Sequence, residues 1–233
     1  MMMKIFVDEN LVGHGIEKVV VAKAGNVQVK APLDPEVEAK IKNVEQEVLD
    51  GKKDWILNDP ITQGYENLVT SCNRSIKKNP PTVPDFIASI KRRGSLPHIN
   101  TVVDIYNLET LISGVAIGGH DVDKITGTLR FMICGQEDSF TSIGGNTKHV
   151  AGTDYVYRDD QGIITWLGTR DSTFYKIDDD TQNVLFVIAG NANTSVDLRL
   201  AALERIHQDL LKCMPQLTFA TVIAEAGRET EIE

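Results

Sequence analysis

The chain has 233 residues, of which 42% are hydrophobic, 24% charged and 6% aromatic, a composition typical of a soluble globular protein. Its longest apolar run, at 184–189, is far shorter than the roughly 18 to 20 residues that a membrane span needs. The net charge of −9 argues against a general polyanion-binding protein, because non-specific nucleic-acid affinity depends on neutralising phosphates.

The first third of the chain, residues 1–95, is predicted to be mostly helical. Residues 17–31 form the exception, because their β-branched residues flank a turn at 25–26 and predict two short strands. Apolar spacings of three and four predict a helix over 35–49. Turn and proline signals predict two more helices, at 59–78 and 84–93.

The remainder, residues 96–233, is predicted to be rich in strands. It opens with a helix that Asn100 or Thr101 caps and closes with another that Thr194 or Ser195 caps. A final strand is predicted at 217–223. Between these helices, strands are predicted at 128–134, 154–158, 163–167, 173–177 and 184–188. No flexible linker separates the two parts, so the sequence predicts one α+β domain over 1–233.

The basic side chains cluster in the first part of the chain, at Lys77-Lys78 and at Lys91-Arg92-Arg93. Cations at the end of a helix oppose its dipole, which accounts for the second group without any ligand. A local contact with a nucleic-acid backbone is the alternative, and the sequence leaves both interpretations open.

Cysteine usage predicts a reducing compartment. Cys72, Cys134 and Cys213 are odd in number and far apart, so neither a disulfide framework nor a metal knuckle is expected. Asp8 and Glu9 interrupt the apolar start of the chain and argue against a signal peptide. We therefore expect a cytoplasmic protein with buried free thiols.

Residues 118–124 contain the most suggestive cluster, in which His120 precedes Asp121. An imidazole held by a carboxylate can orient a water or act as a general base, because its pKa lies near neutrality. A capped turn explains the same residues equally well. No second histidine has metal-ligand spacing, and no nucleophile motif or phosphate loop is present, so we expect neither metal nor cofactor. The glycine pairs at 118–119 and 144–145 predict turns with positive φ.

Three segments, 96–107, 118–125 and 180–185, occur in an order that resembles the B3/B4 domain of the β subunit of bacterial phenylalanyl-tRNA synthetase. The chain is most similar to free-standing proteins built from that domain, in which a proline-rich turn and a basic helix precede the motifs. The resemblance implies a three-layer β/β/α sandwich, RNA binding and hydrolysis of the ester of a mischarged tRNA. An aminoacyl ester is already activated, so a positioned water suffices without a covalent nucleophile.

The resemblance also implies site residues. His120 matches the histidine of the editing pocket and would position or activate the water, with Asp121 beside it, while Asn100 and Asn107 would hold polar substrate atoms. The synthetase has a glutamate that reads a tyrosine hydroxyl. Its counterpart here is about Thr173, and the nearest acid is Asp171, so the resemblance does not by itself imply tyrosine selectivity. The implied substrate-binding residues are Asn100, Val103, Asp104, Asn107, Arg170, Asp171 and Thr173.

Two functions follow from these observations. The first is a trans-acting hydrolase that deacylates mischarged aminoacyl-tRNA, bound weakly and in a salt-dependent way because the chain is acidic. The second is a binding module for an amino acid, an aminoacyl-tRNA or a protein, without turnover. Neither function involves DNA or a membrane.

Overall fold

The computed structural model describes residues 2–233 and has the mixed α+β architecture that the sequence predicts. Its α-helices are α1 (Pro35–Leu49), α2 (Pro60–Ser71), α3 (Thr82–Arg93), α4 (Thr101–Ser113) and α5 (Val196–Cys213). Its strands are β1 (Met3–Val7), β2 (Lys18–Gly25), β3 (Gly118–Asp121), β4 (Thr128–Ile133), β5 (Asp138–Thr141), β6 (Thr147–Val150), β7 (Tyr155–Arg158), β8 (Ile163–Trp166), β9 (Arg170–Asp171), β10 (Val184–Ile188), β11 (Thr218–Glu225) and β12 (Glu229–Ile232). Short 3₁₀ segments lie at Glu9–His14, Asp54–Asn58 and Val122–Lys124.

The strands form two larger sheets and a separate hairpin. One sheet has the order β12-β1-β4-β7-β8-β9 and the other the order β11-β2-β10-β3, while β5 and β6 pair with each other. The pairing of β1 with β4 is parallel, and the other pairings are antiparallel.

The four-stranded sheet is apolar on both faces. Alternate residues of β2 and β10, such as Val20 and Phe186, pack in one cluster with the helices. Their neighbours, such as Val21 and Leu185, pack in a second cluster with the six-stranded sheet. Because successive strand residues point to opposite faces, burial on both sides explains the unbroken apolar runs at 19–22 and 184–188.

The helix predictions are confirmed best where a capping side chain marks the start. Asn100 accepts a hydrogen bond from the backbone N–H of Val103 and so begins α4, and Ser195 does the same for Leu198 at α5. Helix α1 has the predicted bounds, and α3 ends at Gly94, whose φ of 93° suits a residue without Cβ. Helix α2 ends at Ser71, seven residues before the predicted end at 78.

Several strand predictions are wrong for reasons of tertiary packing. Residues 26–31 leave the sheet after β2 instead of returning as a hairpin strand, and the backbone N–H of Val27 donates to Gln182. Residues 173–177 form no strand, and Tyr175 instead donates its hydroxyl proton to Asp159, at 2.5 Å. The glycine pair at 144–145 has positive φ as predicted, whereas the pair at 118–119 lies in β3, where neighbouring side chains leave no room for a Cβ.

Gly64 allows α2 to approach the loop after β10. A Cβ at this position would overlap the amide of Asn191, which is held by hydrogen bonds to Ile61 and Asn193, each 2.9 Å long. Alanine is the better helix former by about 1 kcal/mol, yet we expect Gly64→Ala to lower the free energy of unfolding by about 1 to 3 kcal/mol through overpacking. Urea denaturation measures the change. Gly13→Ala is the control, because nothing lies within 4 Å of its Cβ position, and a Gly64→Ala protein as stable as this control would contradict the expectation.

Within residues 2–233, no helix combines the length and the apolar character needed to cross a bilayer.

Candidate functional site

A cavity of about 150 Å³ lies where α2, α3 and α4 face the ends of β7, β8, β9 and β10. Its wall contains Tyr65, Tyr106, Tyr155 and Tyr157, four of the five tyrosines in the chain. Tyr65, Tyr155 and Tyr157 are buried, whereas Tyr106 is half-buried. A cavity with so many aromatic faces and hydroxyl groups suits a small ligand that has both apolar and polar parts.

The tyrosine hydroxyls differ in their partners. Tyr65 Oη accepts a hydrogen bond of 3.0 Å from the backbone N–H of Ala116, whereas Tyr155 Oη has no partner. The hydroxyl of Thr169, also in the wall, is unpartnered too. Leaving a buried hydroxyl unpaired costs about 1 to 3 kcal/mol, so a bound group that pairs with it gains that much selectivity.

Burial keeps these tyrosines protonated. It raises the pKa of Tyr65 to about 12 and raises those of Tyr106 and Tyr155 further. For Tyr157, burial is again the main cause of a pKa well above the ordinary value, and the charge of Asp171 adds to it. At neutral pH the wall therefore offers hydroxyl donors rather than phenolates.

Asp171 supplies the one carboxylate that lines the cavity within the described part of the chain. It is half-buried, and its Oδ1 accepts a hydrogen bond of 2.6 Å from the hydroxyl of Thr165. The pairing of β8 with β9 places these two residues opposite each other. One carboxylate oxygen is thus fixed by the protein, and Oδ2 is available to a ligand or to a water.

His120 does not reach the cavity directly. Its side chain is 0% exposed, and its Nε2 lies 2.6 Å from the hydroxyl of Tyr157, the residue that does line the cavity. Burial lowers the pKa of His120, against an opposing contribution from Asp171, so the imidazole is held neutral. The imidazole thus lies behind Tyr157 rather than in the cavity wall, and its role in positioning or activating a water stays a prediction.

The orientation of the His120–Tyr157 hydrogen bond follows from the other ring nitrogen. His120 Nδ1 has no partner, and a buried N–H without an acceptor is rarer than an unpaired lone pair. We therefore assign the proton to Nε2, which donates to Tyr157 and leaves the tyrosine hydroxyl proton for an acceptor elsewhere. A Cβ on Gly118 would lie 2.6 Å from Tyr157 Oη and 2.9 Å from His120 Nε2, so this arrangement requires glycine there.

The buried imidazole has a consequence for stability in acid. Its pKa in the folded state lies below the ordinary 6.5, so at lower pH the unfolded chain binds a proton that the folded chain does not. Stability due to this group is complete above pH 6.5 and is lost as the pH falls from there. Between pH 7.5 and 5.5 we expect the protein to lose about 1 kcal/mol more unfolding free energy than His120→Gln, which cannot titrate. Urea denaturation at the two pH values measures this difference, and parallel losses in both proteins would disprove it.

Asp121 is also part of the framework rather than of the cavity wall. It accepts hydrogen bonds from the Thr181 hydroxyl (2.8 Å) and the backbone N–H of Asp123 (3.0 Å), and it lies 3.3 Å from the ammonium of Lys124. These contacts satisfy its carboxylate, and its predicted catalytic role stays a prediction.

The predicted substrate-binding residues divide into two groups. Asn107 and Asp171 line the cavity. The others lie outside the lining of the cavity. Asn100 caps α4, Val103 is in the hydrophobic cluster on the helix side of the four-stranded sheet, and Asp104 accepts hydrogen bonds from His98 and the N–H of Ile99. Arg170 lies 3.8 Å from Asp85, and the backbone N–H of Thr173 donates to the carbonyl of Thr141.

Sequence reasoning missed the tyrosines, Thr165 and Thr169. The only signal in the sequence was the alternation of Tyr155 and Tyr157 in a strand. Residues two positions apart in a strand point to the same face, and both side chains do line the cavity.

Among residues 2–233, no group of three or more His, Cys, Asp or Glu side chains is arranged to hold a metal ion.

Comparisons with known proteins give one family match and several similar proteins. The B3/4 domain family matches residues 64–212, which include every residue of the cavity wall. Phenylalanine–tRNA ligase β subunits from Mycoplasma pneumoniae and Leifsonia xyli are 29% and 28% identical over 90 and 122 residues, or 39% and 52% of this chain. These matches cover only 11% and 14% of the relatives. The crystal structure of an N-terminal fragment of the phenylalanyl-tRNA synthetase β subunit from Pyrococcus horikoshii aligns with a TM-score of 0.47 and 13% identity, covering 98% of this chain and 54% of that one. By the match over residues 64–212, this chain belongs to the B3/4 domain family.

Proposed function

We propose that this chain of the B3/4 domain family binds the acylated end of a tRNA and hydrolyses its aminoacyl ester. The observation that carries the proposal is the cavity, which lies wholly within the family-matched residues and has a single carboxylate among hydroxyl donors. The relation to tRNA ligase subunits supports a tRNA-related RNA-binding module, and the chemistry of the wall supports hydrolysis.

The packing supports the three-layer β/β/α arrangement expected for such a domain. The four-stranded sheet lies between the helices on one face and the six-stranded sheet on the other. Because both hydrophobic clusters share this central sheet, residues 1–233 are most simply treated as one domain.

The size of the cavity supports an amino-acid side chain as its occupant. Protein cavities of roughly 150 Å³ bind molecules the size of benzene. This cavity has that volume, and the rings of buried tyrosines, Tyr65 and Tyr155 among them, line it. Asp171 lies at the half-buried part of the wall, where the backbone and ester of the ligand would follow the side chain.

The polar groups suit attack by water on an ester. The oxygen of the water bonds to the carbonyl carbon of the ester while Asp171 accepts a proton from that water. The hydroxyl of Tyr157 donates a hydrogen bond to the oxyanion that develops on the carbonyl oxygen. The bond from that carbon to the ribose oxygen then breaks, and the ribose oxygen takes up the proton from Asp171. No covalent intermediate on the enzyme is needed, because holding an activated ester beside a positioned water supplies much of the rate.

The test is deacylation. The purified chain is incubated with a panel of correctly charged and mischarged aminoacyl-tRNAs, and release of the amino acid is followed against the spontaneous rate. We expect at least one mischarged tRNA to be hydrolysed well above background, and no release from any member of the panel would refute the hydrolase.

One observation favours a second function, binding without turnover. The imidazole that the family motif points to is sealed from the cavity, which leaves Asp171 as the one ionisable group in the wall that can accept a proton at neutral pH. Titration with uncharged tRNA and with free amino acids separates the two functions. Saturable binding together with intact aminoacyl ester would favour the binding module, and turnover would exclude it.

A further inference from the structure

Ion pairing is uneven over the surface. Most lysines and arginines are paired with a carboxylate, as Lys40 is with Asp209 and Lys91 with Asp54. Within residues 2–233, no carboxylate oxygen lies within 4.0 Å of Lys77, Lys78, Arg92 or Arg93, all of which are exposed. A chain of net charge −9 thus keeps a group of uncompensated cations in one short segment.

These cations lie at both ends of the helix that borders the cavity. Lys77 and Lys78 precede α3, and Arg92 and Arg93 end it. Thr82 and Phe86 of α3 line the cavity, and Arg93 follows Phe86 by seven residues, about two turns, so it lies on the same helix face. Along the helix axis, Arg93 lies about 10 Å beyond Phe86.

Helix α3 is also attached to the site. The hydroxyl of Thr82 donates to the carbonyl of Gly168 at 3.3 Å, and Asp85 lies 3.8 Å from Arg170, the neighbour of Asp171. At the other end, Lys91 bonds to Asp54, next to Trp55, whose side chain is 55% exposed. The exposed indole therefore lies on a segment that contacts the last turn of α3, and proteins hold single-stranded nucleic acid by combining such aromatic rings with basic side chains.

We infer that residues 77–93, together with Trp55, form the surface that binds the RNA strand leading into the cavity. Lys77, Lys78, Arg92 and Arg93 contact phosphates, and Trp55 stacks on a base. This inference rests on the proposed function, because it places the RNA relative to an acylated end in the cavity. The unpaired cations explain how an acidic protein can bind a polyanion: attraction is confined to one helix and is not spread over the surface.

The experiment measures binding of uncharged tRNA as a function of salt. For Arg92→Gln/Arg93→Gln we expect weaker binding and a slope of log K against log[salt] that is shallower by about 1.4, which is about 0.7 for each phosphate that is no longer neutralised. The control, Lys42→Gln/Lys176→Gln, removes the same charge from elsewhere and should leave the slope unchanged. For Trp55→Ala we expect about tenfold weaker binding with an unaltered slope, because stacking releases no counterions.

Equal slopes in the two double variants would overturn the inference. A competition experiment gives a second outcome that would overturn it. If poly-L-glutamate displaces bound labelled tRNA as well as unlabelled tRNA does, at the same concentration of negative charge, the surface is a general anion site or a protein-binding site. Neither readout depends on hydrolysis. If the parent chain fails to deacylate but the double arginine variant shows the reduced slope, the inferred RNA surface stands and only the proposed hydrolase activity is refuted. If the parent chain deacylates but the two double variants have equal slopes, the proposed hydrolase activity stands and the inferred RNA surface is rejected.

Discussion

Asp154→Ala is expected to lower the free energy of unfolding by about 3 to 5 kcal/mol, the largest stability effect that we expect for any single side chain. Asp154 is fully buried, and its carboxylate accepts two hydrogen bonds from the guanidinium of Arg74, at 2.8 and 2.6 Å. It also accepts hydrogen bonds of 2.8 Å from the indole of Trp166 and from the backbone N–H of Ala151. Removing the carboxylate leaves the buried indole of Trp166 without an acceptor and takes away the partner of the partly exposed Arg74 guanidinium.

Chemical denaturation followed by tryptophan fluorescence measures the loss. Asp138→Ala is the matched control, since it also removes an aspartate from an arginine pair, Asp138–Arg158 at 2.9 Å. That pair is partly exposed, so its removal should cost less than about 1 kcal/mol. If the two variants lose similar amounts of unfolding free energy, the buried Asp154 network contributes no more to stability than a partly exposed ion pair.

The Asp154 network connects stability to the site. Arg74 follows α2, Asp154 immediately precedes β7, and Trp166 ends β8, so one carboxylate joins three elements that form the cavity wall. The guanidinium also stacks on Trp166, with its carbon 5.5 Å from the ring centre. Tyr155 is the next residue after Asp154, and the network therefore fixes the strand that presents the unpartnered hydroxyl of Tyr155.

Much of the helical part of this fold is predictable from sequence because its signals are local. Asp34, Asn100 and Ser195 cap helices with their own side chains, and Gly94 stops α3 by its positive φ. Each of these effects involves residues that are at most four positions apart.

The strands are harder to predict, because their partners are distant in sequence. Neither β1 nor β12 is predicted from the sequence. These strands pair with each other from opposite ends of the chain, with Met3 opposite Ile232, so no local pattern marks their pairing. Gly118 and Gly119 read as a turn in isolation, but they are strand residues whose missing Cβ makes room for Tyr157 and Tyr106. Close approach between distant side chains leaves no trace in a local pattern.

The candidate site also has parts that the sequence indicates and parts that only the tertiary structure reveals. The family motif points to His120, which contacts a residue of the cavity wall, but it cannot show that this residue, a tyrosine 37 positions later, stands between the imidazole and the cavity. Asp171 entered the predictions only as the acid nearest to an expected glutamate. Its position in the wall depends on the pairing of β8 with β9, which the sequence pattern did not reveal.

Asp171→Asn is expected to lower kcat for deacylation by about 10²–10³-fold, the contribution typical of a general base. The asparagine oxygen can still accept the hydrogen bond from Thr165, so the wall should keep its shape while the group that takes the proton is lost. We therefore expect little change in KM or in the urea midpoint. Single-turnover hydrolysis of the most reactive aminoacyl-tRNA, at saturating protein, measures the chemical step.

Two further variants make this experiment decisive between Asp171 and His120. Glu137→Gln removes an exposed carboxylate outside the cavity wall and should leave kcat unchanged. His120→Gln keeps an N–H that can donate to Tyr157, so as a positioning residue it should lose less than about tenfold in kcat. If His120→Gln abolishes hydrolysis while Asp171→Asn stays within fivefold of the parent chain, the imidazole is the base. The wall between the imidazole and the cavity would then have to open during the reaction. The opposite result assigns proton transfer to Asp171 and leaves His120 the task of orienting a tyrosine hydroxyl toward the oxyanion.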